Sequence, residues 1–203
     1  MEALHTRDRQ AFPPDSSCHS NTREEVKSII LAWAMSLQFD KDPHIRWMFG
    51  YVGCGKSAVS QTIADELDVL GQLGGSYFFW SVDNRSSIAP LAVTLSYQLC
   101  LAIPGMEDEV RRVVERQGQS LLSSRATVVD QMTELVLKPF ATSSISSQIS
   151  KPYVIIIDGL DECEDRREVP KLLRSLAAFY DKNPQVPLKF LIVSRLEKYI
   201  ENC

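Results

Sequence analysis

Residues Gly50 to Ser57 read GYVGCGKS, a spacing of glycine, glycine, lysine and serine suited to the capture of a polyphosphate. Gly50, Gly53 and Gly55 let the backbone turn over an anion, because glycine adopts dihedrals that a side chain forbids. The N–H groups of such a loop converge into a nest, at the start of a helix whose dipole adds partial positive charge. Gly50, Gly53, Cys54, Gly55, Lys56, Ser57 and Ala58 are therefore the candidate nucleotide-binding residues. Lys56 offers an ammonium to the terminal phosphates, and Ser57 a hydroxyl to Mg²⁺. The plain alternative is a glycine-rich turn with an incidental lysine. An apolar run before the loop and helical spacing after it argue against that alternative. Cys54 reads as a small outward-facing filler rather than a redox switch.

A second chemical segment is YVIIIDGLDEC. Asp158 falls at the carboxyl tip of an apolar strand, the edge at which open α/β sheets collect ligands. It is the candidate metal ligand beside Ser57, reaching Mg²⁺ through water. Asp161 and Glu162 follow in the turn and are candidates to orient or deprotonate an attacking water. Three carboxylates within five residues repel one another unless a cation is present; a solvated acidic turn is the alternative. Arg195 sits just past a fourth apolar run, where a guanidinium can pair with phosphate oxygens and sense the γ-phosphate, or be a surface arginine.

These residues need elements to hold them. Short apolar runs predict strands at Ile45–Phe49, Tyr77–Trp80, Tyr153–Ile157 and Phe190–Val193. Helical spacing links Val26, Ile29, Ile30, Trp33 and Leu37, with Thr22 and Glu25 as a capping box. It recurs at Val59 to Leu70, which Gly71, Gly74 and Gly75 close off, and at Leu91 to Leu99. Further helices are centred on Val110–Val114, on Met132–Val136 ending before Pro139, and on Leu172–Tyr180. Ser143–Ser150 reads as an exposed loop and residues 1–20 as a flexible tail, leaving 21–203 as one core. Strands alternating with helices imply parallel βαβ units with helices on both faces.

Composition narrows the function. With 203 residues, 44% of them apolar, the chain is long enough to bury a core without staples. A net charge of −4, with no basic run longer than Arg111–Arg112 or Arg166–Arg167, disfavours nucleic acid as partner. Five scattered cysteines without a CxxC pair suggest reduced thiols and a cytoplasmic setting. No apolar run approaches the roughly 20 residues that span a bilayer. No Arg-rich lid suggests a small-molecule kinase, and no NKxD run marks a guanine-specific site.

Taken in order, GYVGCGKS, YVIIIDGLDE and FLIVSR resemble the Walker A, Walker B and sensor motifs of a NACHT domain, of the STAND class of signal-transducing ATPases. The flanks CHSNTREEVKSIILAW, SYFFW and VDNRSSI are similar to a fungal subgroup, the N-terminal NTPase region of nephrocystin-type proteins. The resemblance spans residues 18 to 196. It implies a three-layer αβα P-loop NTPase fold with a mainly parallel sheet in the order 2-3-4-1. It implies ATP (or GTP) with Mg²⁺, slow hydrolysis as a signalling switch, and protein partners or self-association through flanking domains. It also implies that Thr22 and Arg23 lie near the adenine. Tyr51 and Val52 depart from the family, whose loops often carry Pro and Ala there. Only eight residues follow Arg195, so the fifth strand and the lid of the family are expected to be missing and Ile45–Phe49 to form an apolar edge. A truncated binding or scaffold module without turnover is the competing expectation.

Overall fold

A computed structural model of the chain describes residues 18, 22–38, 42–81, 86–118, 120, 121, 123, 126–142, 145 and 149–203. The elements run α1 (Glu24–Met35), β1 (Ile45–Phe49), α2 (Lys56–Val69), β2 (Leu73–Phe78), α3 (Leu91–Ala102) and α4 (Met106–Gln117). Then come α5 (128–142), β3 (Tyr153–Asp158), a 3₁₀ turn (Leu160–Glu162), α6 (Glu168–Lys182), β4 (Leu188–Ser194) and α7 (Lys198–Glu201). Among the described residues the strands form one all-parallel sheet in the order β1-β4-β3-β2, the expected order read from its other end.

The two-residue period of the central strands divides the core into two layers. Val154, Ile156, Leu191 and Val193 face α1 and α2, where Ile30, Trp33, Ile63 and Leu67 meet them. Ile155, Ile157, Phe190 and Ile192 face the other way, onto Leu95, Leu99, Leu172 and Leu176 of α3 and α6. Asp158 has the parity of Val154 and Ile156, so the same alternation that builds the core turns its carboxylate toward α2. β1 lies at one margin of the sheet, half buried, with Phe49 55% exposed. It is the apolar edge anticipated from the sequence.

Some local expectations give way to packing. Gly74 and Gly75 lie inside β2 rather than ending α2, which Gly71 alone terminates. A Cβ on Gly75 would fall 2.7 Å from Gln98 Oε1, so the missing side chain is what lets α3 lie close to the strand. α5 passes through Pro139 instead of stopping before it, because its central turn, Met132–Leu137, is π-helical and departs from the bonding that proline breaks. α1 begins after Arg23, so Thr22 does not occupy the cap position of the expected box. The expected tail lies outside the described residues except for Cys18, whose N–H donates to Thr62 Oγ1 at 3.1 Å. The serine-rich loop lies largely outside them too, although Ile145 and Ile149 within it pack on the core.

α1 is held to the sheet by a buried lysine. Lys189 projects from β4 with no exposed surface and donates to the carbonyls of Trp33 and Ser36, each at 2.5 Å. Those carbonyls end α1, where helical partners run out; the Trp33 carbonyl also accepts from the Ser36 N–H at 3.2 Å. The ammonium also lies 5.3 Å from the centre of the Trp33 ring. Burial is the main cause that lowers its pKa from 10.5 to about 8, with Arg46 acting the same way and Asp42 against it. The folded chain therefore releases this proton at lower pH than the unfolded chain, and stability rises as pH climbs from about 8 toward 10.5. Urea unfolding at pH 7 and 9.5 checks this. Wild type should gain about 2 kcal/mol relative to Lys189→Met over that interval.

Candidate functional site

The loop Gly50–Ser57 joins β1 to α2 at the carboxyl end of the sheet. Gly53 (φ 72°) and Gly55 (φ 82°) are left-handed, and Gly55 is the N-cap of α2. Side chains at those positions would be strained. A Cβ on Gly50 would lie 3.0 Å from Cys54 Sγ, so a side chain there would require the thiol to shift. Lys56 folds back across the loop and donates to the carbonyls of Gly50 at 2.9 Å and Tyr51 at 3.0 Å. Its Nζ is 3.9 Å from Cys54 Sγ, so that exposed thiol leans toward the ammonium rather than away from the loop. Ser57 and Ala58 follow in the first turn of α2. Tyr51, at 90% exposure, does not close the loop.

Asp158 ends β3 beneath this turn, 4% exposed. Ser60 donates to its Oδ1 at 3.0 Å, and Ser57 also hydrogen-bonds to it. Burial pushes the carboxyl pKa up to about 6, against the pull of the two serines and Lys56 and with help from Asp161. Lys56, Ser57 and Asp158, from two distant segments, therefore share one corner of the molecule. Ser60 is the member missed from the sequence. Its signal was the helical interval of three residues from Ser57, which puts both hydroxyls on one face.

Arg195 follows β4, the strand between β1 and β3, so its position adjoins both tips. Its N–H donates to Asp161 Oδ1 at 2.9 Å and its Nε pairs with Asp161 Oδ2 at 3.1 Å. Nη2 lies 3.9 Å from Glu162 Oε1, while Glu162 Oε2 accepts from the Ser81 N–H at 3.0 Å. Both acids of the turn are thus anchored. Gly159 is needed in that turn because a Cβ would come within 2.8 Å of the Phe79 carbonyl. Asp161 is brought near Asp158 closely enough to raise its pKa, so the three expected catalytic residues border the loop corner instead of scattering.

Among the described residues no group of three His, Cys, Asp or Glu side chains is placed to hold a metal. Mg²⁺ does not require such a group, being commonly held by one or two protein oxygens together with phosphates and water. Ser57 and Asp158 supply such a pair of oxygens. Among the described residues no helix is long and apolar enough to cross a membrane.

A family model described as nephrocystin 3, N-terminal, matches residues 27–195. The match takes in all four strands, the glycine loop, Asp158, Asp161, Glu162 and Arg195. No curated protein and no solved structure matches the chain significantly.

The raised pKa of Asp158 has a thermodynamic sign. A carboxyl whose folded pKa, about 6, exceeds the usual 3.8 costs stability once ionised. Its effect is absent below about 3.8 and grows as pH rises through 6, to about 3 kcal/mol. Asp158→Asn, which keeps the shape and an acceptor for Ser60, should melt several degrees higher than wild type at pH 7, with the gap closing toward pH 4. Calorimetry of the two unliganded chains across that range reads it.

Proposed function

The chain belongs to the nephrocystin 3 N-terminal family, and on that footing we propose that it binds a magnesium–nucleoside triphosphate, ATP in preference to GTP, and hydrolyses it slowly as a signalling switch of NACHT type within the STAND class. The observation that carries the reading is the meeting of Lys56, Ser57 and Asp158 at one corner of a parallel sheet. The amides of Gly53, Cys54, Gly55, Lys56, Ser57 and Ala58 form the nest for the phosphates, and Lys56 leaves its two loop carbonyls for them. Ser57 and Asp158 hold the metal, directly and through water. When bound, Mg²⁺ neutralises charge that builds on the phosphate oxygens. Glu162 and Asp161 orient the attacking water, and Arg195 moves from Asp161 to the γ-phosphate. The nucleotide state then governs association with protein partners, or with further copies, through flanking domains in the cytoplasm.

One observation favours a second reading, nucleotide binding without turnover. Asp161 is paired with Arg195 and Glu162 accepts from the Ser81 N–H, so each acid already has a structural partner that orients it.

A melting titration separates these readings from no binding at all. Ligand at 100 times its Kd adds about 2.7 kcal/mol, and each kcal/mol moves the midpoint of a domain this size by about 2–4 °C. Mg–ATP should therefore raise the midpoint by about 5–10 °C, and Lys56→Ala should abolish the rise. No shift with either nucleotide contradicts the proposal. Phosphate release that Glu162→Gln abolishes supports the switch, whereas binding without release in wild type supports the second reading.

A further inference from the structure

Arg23 precedes the matched residues and caps α1 in the left-handed region, at φ 58° and ψ 26°. Among the described residues it is the one non-glycine with positive φ. From there its guanidinium reaches the glycine loop. Nη2 donates to the Cys54 carbonyl at 2.5 Å and Nη1 to the Gly55 carbonyl at 3.2 Å. The fit is tight enough that a Cβ on Gly55 would fall 2.1 Å from Nη1. Gly55 is therefore required twice, for its own dihedral and for the arginine that lies on it.

The two carbonyls matter because of what stands behind them. In a trans peptide the C=O of one residue and the N–H of the next point in opposite directions. Holding the Cys54 and Gly55 carbonyls against Arg23 turns the N–H groups of Gly55 and Lys56 away from it. These are two of the amides assigned to the phosphates. The cation also draws charge from both carbonyls and so strengthens the same amides as donors. The Gly55 carbonyl accepts the first helical bond as well, from the Val59 N–H at 3.1 Å, so loop and helix are locked in one arrangement.

We propose that Arg23 is a positioning residue for polyphosphate capture, clamping the glycine loop from its outer side, and not a contact for the base. This rests on the reading of Gly50–Ser57 as a triphosphate site. The role is independent of the nucleoside: the clamp acts on the nest, so every ligand carrying a triphosphate feels its loss equally.

The test is calorimetric titration of the full chain with Mg–ATP, Mg–GTP and magnesium tripolyphosphate, at a temperature where each variant is folded. Arg23→Gly is the variant of choice, since glycine accepts the left-handed cap without strain while removing the guanidinium. It should weaken all three ligands alike, by about tenfold. Arg23→Lys should recover part of the loss, because one ammonium can reach one carbonyl but cannot bridge two. Unchanged affinity in Arg23→Gly overturns the clamp and leaves the triphosphate site standing. Loss confined to the two nucleotides, with tripolyphosphate unaffected, overturns it in favour of a base contact. Failure of wild type to bind any of the three removes the site reading and this inference together.

Discussion

A carboxylate buried under the first turn of a helix is the constraint around which this molecule is arranged. Asp158 is almost wholly out of water, and its ordinary ionisation is opposed by that burial. Two serine hydroxyls and the charge of Lys56 offset part of the cost, but the pKa stays near 6. An apolar residue would pack there more cheaply. A carboxyl so perturbed in a corner of this kind is a candidate for handling a cation or proton, and in the function proposed above the glycine loop overhead is the matching anion receptor. On the proposed reading each half has a use for the other: the carboxylate would gain a metal, and the metal would gain phosphates.

The fold exists, in effect, to bring two chain segments about a hundred residues apart to that corner. Parallel strands put every carboxyl terminus on one edge, so the ends of β1, β3 and β4 deliver the loop, Asp158 and Arg195 side by side. Alternation along β3 decides that Asp158 faces α2 and not α3. α1 then completes the arrangement from outside, pinned at its carboxyl end by Lys189 and touching the loop through Arg23 at its amino end. A single helix thereby links the core of the sheet to the loop at its rim.

Much of this was legible from residue order because the deciding interactions are local. The left-handed glycines, the cap of α2 and the apolar run ending in Asp158 each declare themselves within a few residues, and alternating strands and helices imply a parallel sheet, whereas the order of its strands came from the family resemblance. What stayed hidden depends on tertiary context. Gly74 and Gly75 look like a helix stop, yet they serve close approach of α3. Pro139 looks like a helix end, yet a π-helical turn carries the chain through it. Lys189 sits in a strand that otherwise reads as apolar, and only the position of α1 explains its burial. The pairing of Asp161 with Arg195 joins residues 34 apart, beyond any local pattern.

The central claim is that loop amides and Asp158 serve one ligand in common. An amide NMR titration of uniformly labelled protein with Mg–ATP tests it most directly. The account predicts large downfield proton shifts at Gly55, Lys56 and Ser57, accompanied by perturbation at Asp158 and Gly159, all with one dissociation constant. Shifts confined to other surfaces, or loop shifts that leave the end of β3 untouched, would contradict it.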